Sequence, residues 1–434
     1  LTQCNQDFSM ATVSSSLSRL SDSPLVVAMA GAVSLSVAMG IGRFAFTPLL
    51  PMMLHDGLLD INGGSLLATA NYVGYLAGAL LCMVLPRIVA LFTHRPIINA
   101  VMVRAALVAT TMLTIAMAAN LPYAWPVLRF LSGVISAAGF VYTAGWCLGR
   151  LEELGASSMG GVIFTGPGAG IALSGSAGSA IALAGGSSTV TWIGFGALAA
   201  LLTALVWRVF AHGTAVVVPR ALPSQDAGRR AGNPLWTAEA LLLTLAYGLA
   251  GFGYIITATF LPVIAHEALP GSVWIDLFWP IFGLAVMAGA LLTRRVPLTI
   301  DRRLMLVACY LVQAVGVVVS LLLPSIGGFI LGSLLVGMPF TAITLFAMQE
   351  VRRLAPGHVT GFMAMMTAAY GIGQIAGPPL VAFILAHSAS HAAGFATSLI
   401  IASTSLVVGA ALYAAQMRLF RRPVPGRGSV QGSA

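Results

Sequence analysis

The sequence predicts an all-α membrane protein: twelve transmembrane helices in two parallel six-helix halves. Three observations predict it. The 434 residues are 58% apolar and 8% charged, with a mean hydropathy of +0.95, whereas a soluble globular chain carries about 25% charged residues. Apolar runs of about 20 residues, enough to cross a ~30 Å hydrocarbon core, recur along the chain. The second half also repeats the first at a fixed offset of 211 residues.

In order, the runs fall at 25–53, 65–86, 97–119, 124–148, 159–184, 190–211, 237–264, 273–293, 303–324, 326–348, 360–386 and 393–416. They divide the chain into a tail over 1–23, a first half over 24–211, a linker over 212–236, a second half over 237–417 and a tail over 418–434. The first ten residues are polar and lack the apolar core of a cleavable signal, so Met10 is a candidate start and the first span reads as a retained helix. The linker holds Pro219, Pro223, Pro234, Arg220, Arg229 and Arg230 without an apolar period.

All 21 basic residues are arginine and the net charge is +9. They gather in alternate interhelical segments, which places both termini and the 212–236 linker in the cytoplasm of a bacterial inner membrane. No element collects them into a groove-reading face, which argues against nucleic acid as a partner. Cys4, Cys82, Cys147 and Cys309 show no ligand spacing and read as apolar fillers, leaving no expected metal or cofactor. Walker, HExxH and nucleophile-elbow patterns are missing, so the sequence predicts no enzyme.

The repeat rests on three places. Gly40-x-Gly42 with Leu50-Pro51 falls on Gly251-x-Gly253 with Leu261-Pro262; Ala77–Leu81 falls on Ala288–Leu292; Gly166-Pro167 falls on Gly377-Pro378. One match means little in a chain rich in Gly and Ala, but three at one offset indicate halves of the same orientation. Such halves place a substrate site near the midplane between them.

Arg129-Phe-Leu-Ser-Gly133-x-x-x-Ala137 resembles the Arg-x-x-x-Gly-x-x-x-Ala motif of the major facilitator superfamily, and Gly166-Pro167-Gly168-Ala169-Gly170 resembles its fifth-helix antiporter motif. More narrowly, Gly40–Pro51, Ala70–Gly78, Gly253–Pro262 and Gly371–Pro378 look like the YbfB/YjiJ-type transporters. The resemblance covers both halves and implies the major facilitator fold, with helices 1 and 4 lining a central cavity. One departure is the segment from Pro86-Arg87 to Thr93-His94-Arg95, which lacks the superfamily's usual Asp.

Arg43 and Arg129 are the leading site candidates. A lipid-exposed arginine costs roughly 2.5–3.5 kcal/mol at a helix centre, so a retained one faces protein or a watery cavity. One reading is a cationic clamp for a carboxylate, which guanidinium binds in bidentate fashion. The other is that each bonds helix carbonyls or snorkels to the outer interface. At helical spacing, Ser36, Gly40 and Thr47 continue a stripe with Arg43, and Tyr247, Gly251 and Thr257 do so with its repeat mate Tyr254. Those faces would oppose each other, or the tyrosines would pack between helices. Asn71 and Tyr75 share a face of helix 2, while Gln374 is gate or glue. Gly40, Gly42, Gly133, Gly166, Pro167, Gly377 and Pro378 read as structural or gating positions.

The expectation is a monomeric secondary transporter, in contact with membrane lipids, that moves a small organic solute of anionic character by alternating access. Arg43, Arg129, Tyr75, Tyr247, Tyr254, Thr257, Asn71 and Gln374 form its site, and protons are the candidate coupling ion, although no carboxylate lies mid-span. The alternatives are an exporter of mixed hydrophobic compounds and a non-transporting sensor with a transporter fold.

Overall fold

The structure, a computed structural model, describes residues 23–93, 98–211, 237–272, 274–297, 299–356 and 359–420. The expected linker and almost all of both expected tails lie outside the described residues, as do His94 and Arg95. The long helices are α1 (Pro24–His55), α2 (Ile61–Thr93), α3 (Asn99–Ala116), α4 (Trp125–Glu153), α5 (Gly166–Leu183), α6 (Ser188–Val206), α7 (Ala238–Ala268), α8 (Phe278–Leu292), α9 (Arg302–Leu322), α10 (Ile326–Leu354), α11 (Val359–Ala386) and α12 (His391–Leu419).

Local sequence explains many of the boundaries. Side chains of Ser187, Thr237, Asp301, Ser325 and Ser390 cap the first turns of α6, α7, α9, α10 and α12. Asp56, just past α1, accepts from the Ser188 amide at 2.8 Å and its hydroxyl at 2.6 Å, tying α1 to the start of α6. Partial burial alone would raise the Asp56 carboxyl; the Ser188 bonds, helped by His55, outweigh that and hold it below its ordinary range. Gly185 closes the α5–α6 turn at φ 74°, a conformation other residues resist.

Ten of the helices are long and apolar enough to cross a membrane. The other two, α5 and α8, pack on each other. α8 has only 15 residues, and α5 is rich in glycine and serine. A Cβ on Gly168 would come within 2.6 Å of the Gly283 carbonyl, and one on Gly283 within 2.5 Å of the Ala172 amide. α8 thus falls short in length and α5 in apolar character, and where the two meet small residues bring their backbones together.

The packing repeats along the chain. Among the first six helices α2 packs on α4, α3 on α4, α1 on α5 and α3 on α6; among the last six α8 packs on α10, α9 on α10, α7 on α11 and α9 on α12. These are the same pairs shifted by six. The two sets meet where α2 crosses α11, where α5 crosses α8, and where the Phe46–His55 segment of α1 reaches α7. At that end Pro48 and Met52 of α1, Gly178 and Ala182 of α5, Pro262 of α7 and Trp279 of α8 converge on a narrow gap.

Charge is distributed unequally between the sets. Arg303 of α9 holds Asp301 at 2.9 Å and the Phe420 carbonyl at 2.9 Å. Arg353 of α10 pairs with Glu239 of α7 at 2.7 Å and with Glu350 at 3.0 Å. This network ties one end of α7, α9, α10 and α12 together. Counted back by the repeat offset, Glu239, Asp301, Arg303, Glu350 and Arg353 become Ala28, Ala90, Phe92, Gly139 and Tyr142, so the first set has no such staple at those positions.

The α1–α5 crossing gives a direct test of the packing. A Cβ on Gly40 would overlap Gly170, whereas Gly149 of α4 has nothing within 4 Å. Gly40→Val is expected to cost more than the ~1–3 kcal/mol of ordinary overpacking, because the obstacle is backbone. Gly149→Ala should be neutral or raise stability by about 0.5–1 kcal/mol. Monodisperse yield and thermal unfolding of the detergent-purified variants check both.

Candidate functional site

The site is built on α1, which is not a uniform helix. Pro24–Leu35 and Phe46–His55 are α-helical, but Ser36–Phe44 winds as a π-helix, and all nine of its residues are buried. Bonding of amide i to carbonyl i−5 widens the turn. It also breaks the expected 3.6-residue stripe. Ser36 donates to the Gly166 carbonyl at 2.8 Å and Gly40 lies on Gly170, so both face α5, while Arg43 reaches α11. The expectation that Ser36, Gly40 and Arg43 share one face is thus corrected by the local change of helical pitch.

Where π winding returns to α winding, the backbone ladder skips a carbonyl, and carbonyls here find partners on α4. Ser132 donates to the Gly42 carbonyl at 2.6 Å and Ser136 to the Ala38 carbonyl at 2.6 Å. Arg129 donates to the carbonyls of Arg43 at 3.2 Å and Gly42 at 3.4 Å, with its guanidinium 4.8 Å from the Phe46 ring centre. Asn71 of α2 in turn donates to the Arg129 carbonyl at 3.0 Å. Arg129 therefore lies beside Arg43, bonded to the α1 backbone, which is the carbonyl-bonding alternative raised by the sequence.

Arg43 is 3% exposed and crosses between the two helix sets. Its Nη2 donates to Oε1 of Gln374 on α11 at 2.6 Å, and the Gln374 amide donates to the Tyr254 hydroxyl on α7. The guanidinium carbon stands 3.9 Å from the ring centre of Tyr75 and 5.3 Å from that of Tyr72. Such cation–π contacts contribute roughly 0.5–2 kcal/mol each, most when desolvated. Nε of Arg43 is buried without a partner. Among the described residues neither Arg43 nor Arg129 makes an ion pair, and every polar partner given above for them is neutral.

Aromatic rings cluster around the Arg43–Gln374–Tyr254 bonds. Tyr254 lies nearly parallel to Tyr370, with centres 5.8 Å apart at 21°; Tyr370 contacts Tyr247 at 4.7 Å; Phe340 of α10 meets Tyr254 at 5.0 Å and Phe44 at 6.1 Å. Tyr247 donates to Thr344 at 3.2 Å, and Thr257 is buried with its hydroxyl unpartnered. A second polar link between the sets joins Tyr72 to Thr259 at 2.9 Å. The glycines read as architecture are close-contact positions. Gly42 abuts Thr110, Gly133 abuts Asn71 and Tyr75, Gly166 abuts Leu35 and Gly377 abuts Ile255. Pro167 opens α5 and Pro378 sits inside α11.

Tyr72, Ser132, Tyr370 and Phe340 were not singled out from the sequence. Phe340 could have been, because it stands one repeat offset after Arg129, as Tyr254 does after Arg43. Arg43 and Arg129, the two buried arginines of the first helix set, thus both have aromatic counterparts in the second.

A family model described as "Uncharacterised MFS-type transporter YbfB" matches residues 35–414. The chain belongs to this family of major facilitator transporters. Among solved structures it is similar to a nucleoside transporter, NupG, with a TM-score of 0.63 at 16% identity over 91% of this chain and 100% of that one. It is also similar to a bacterial homolog of the human lysosomal transporter Spinster, in an inward-facing, unoccupied conformation, with a TM-score of 0.61 at 13% identity over 92% and 97%. At these identities the likeness speaks for the fold. No curated protein matches the sequence. The family and both neighbours are transporters rather than enzymes.

If Arg129 serves the α1 backbone, Arg129→Leu leaves carbonyls of the π segment without donors, at about 1–3 kcal/mol each. The expected result is a clear fall in Tm, with Ser132→Ala falling less, by about 1 kcal/mol. Thermal unfolding in detergent measures this; an unchanged Tm for Arg129→Leu would return Arg129 to a ligand-facing role.

Proposed function

We propose that the chain is a secondary transporter that moves a small organic anion across a bacterial inner membrane by alternating access. Twelve crossing helices form two parallel six-helix halves, residues 24–211 and 237–417, with the mutually packed α5 and α8 counted among the crossings and both termini cytoplasmic. The observation that carries the reading is the Arg43 guanidinium: buried, reaching from one half to the other, and paired with a neutral amide where a carboxylate would be expected. Taking a charge out of water costs several kcal/mol after relaxation unless it is paired. A substrate carboxylate supplies the missing charge and bonds in bidentate geometry.

Gln374 then acts as a placeholder. Its oxygen occupies the Nη2 position of Arg43 until an anion replaces it, and that exchange severs a bond between the halves. Tyr72–Thr259 is the remaining polar link nearby, so occupancy of Arg43 and the freedom of the halves to rock are coupled. Arg129 and Asn71 serve by holding the α1 turn on which Arg43 stands, and the protein works as a monomer surrounded by lipid. Because Arg43 is cationic, the same site disfavours cationic drugs, which argues against the reading as an exporter of mixed hydrophobic compounds.

A thermal-shift screen of purified protein tests the sign of the ligand. Ligand at 100 times its Kd stabilises by about 2.7 kcal/mol, so carboxylates are expected to raise Tm by several degrees and cationic drugs to leave it unchanged. Arg43→Gln should abolish the response, and proteoliposome uptake of any carboxylate that binds, at normal membrane abundance. A response to cations alone would sink the reading.

Gln374→Glu tests the placeholder. A tethered carboxylate on Arg43 should raise the resting Tm and weaken carboxylate binding at least tenfold, whereas undiminished binding would show that ligand and Gln374 do not compete.

A further inference from the structure

We infer that the site selects planar aromatic carboxylates over saturated ones of equal size and charge, an inference that rests on the anionic reading above and narrows it. Three features of the geometry point there. First, the guanidinium of Arg43 lies over the Tyr75 ring at 3.9 Å, and its N–H edge, where Gln374 now bonds, is the part that offers donors to a ligand. A carboxylate held by two parallel N–H bonds at that edge lies in the guanidinium plane. Secondly, the group now at that edge is itself flat: the Gln374 amide, held at one end by Arg43 and at the other by the Tyr254 hydroxyl. Whatever displaces it inherits a slot shaped to a conjugated, planar group.

Thirdly, the slot leads into rings. Tyr254 and Tyr370 lie within 21° of parallel, and Phe340 stands edge-on to Tyr254 at 5.0 Å and to Phe44 of the opposite half at 6.1 Å. Tyr75, Phe340 and Tyr370 are only half-buried although they sit near Arg43 or the rings beside it, so part of each ring is free for contact. In benzoate the carboxylate is conjugated with its ring, and the whole ion is one slab that continues the guanidinium plane alongside those rings. Offset and edge-to-face contacts then add to area burial. In cyclohexanecarboxylate the ring puckers out of the carboxylate plane, so the ion cannot lie flat in line with the guanidinium and forms no offset or edge-to-face ring contact. A neutral planar amide fits the slot but leaves Arg43 without a counter-charge.

The experiment is a set of binding isotherms on the purified full-length chain in detergent with benzoate, cyclohexanecarboxylate and benzamide. Benzoate should bind at least tenfold more tightly than cyclohexanecarboxylate, and benzamide should not bind measurably. Tyr75→Leu removes the stacked face and should bring the ratio of the two acids close to one; Arg43→Lys keeps the charge without the planar fork and should do the same. Two outcomes overturn the inference while leaving the anionic reading intact: equal binding of the two acids by the wild-type chain, or a ratio unchanged in both variants. Binding of benzamide with neither acid overturns the anionic reading itself.

Discussion

The inter-half region depends on one local constraint, the π winding of α1 over Ser36–Phe44. A regular α-helix would carry Arg43 round with Ser36 and Gly40 toward α5. The wider turn separates them, so small residues face the neighbour they must touch and the arginine faces the opposite half. Such a segment is unfavourable in isolation, because it disturbs the backbone ladder. It persists here because Ser132, Ser136 and Arg129 of α4 supply donors to its carbonyls, and because Gly40 and Gly170 let α1 and α5 meet at backbone contact. Packing against two helices thus stabilises a conformation that local propensity does not.

The two helix sets use the same packing pairs for different ends. In the second half an ionic network around Arg303, Glu239 and Arg353 ties helix ends together, and rings stand where the first half has its two buried arginines. In the first half the corresponding ionic positions hold Ala, Gly, Phe and Tyr, and cohesion comes from close backbone approach and serine-to-carbonyl bonds. A frame that is symmetric in its glycines and prolines therefore carries asymmetric chemistry at its centre. One helix set contributes the cation and the other a cluster of aromatic rings with an amide bonded to that cation.

Much of this was legible in the sequence, for reasons of scale. Apolar runs, arginine placement and a 211-residue offset are properties of composition and order, and they led to the helix series and its internal repeat. Arg43 and Gln374 stood out because a polar side chain deep in an apolar run is costly wherever the chain folds. Asn71 and Arg129 were visible on the same ground, but what each bonds was not. Sequence spacing assumes 3.6 residues per turn, and that assumption failed at the one segment where the site is built. Tyr72, Phe340 and Tyr370 were hidden because an aromatic residue in a membrane helix is unexceptional until its neighbours are known.

The sequence by itself determined that this is a multi-helix membrane protein of two related sets, and which polar groups had to find shelter from lipid. Both follow from transfer free energies that act residue by residue. The tertiary structure alone decided where those groups point: Arg43 to Gln374 across the halves, Arg129 to the carbonyls of α1, and the tyrosines to a common space beside the cation. Direction depends on the pitch of α1, and that pitch is set by contacts with α4 and α5, which lie more than eighty residues away along the chain, about 90 to 130 by the bonds described.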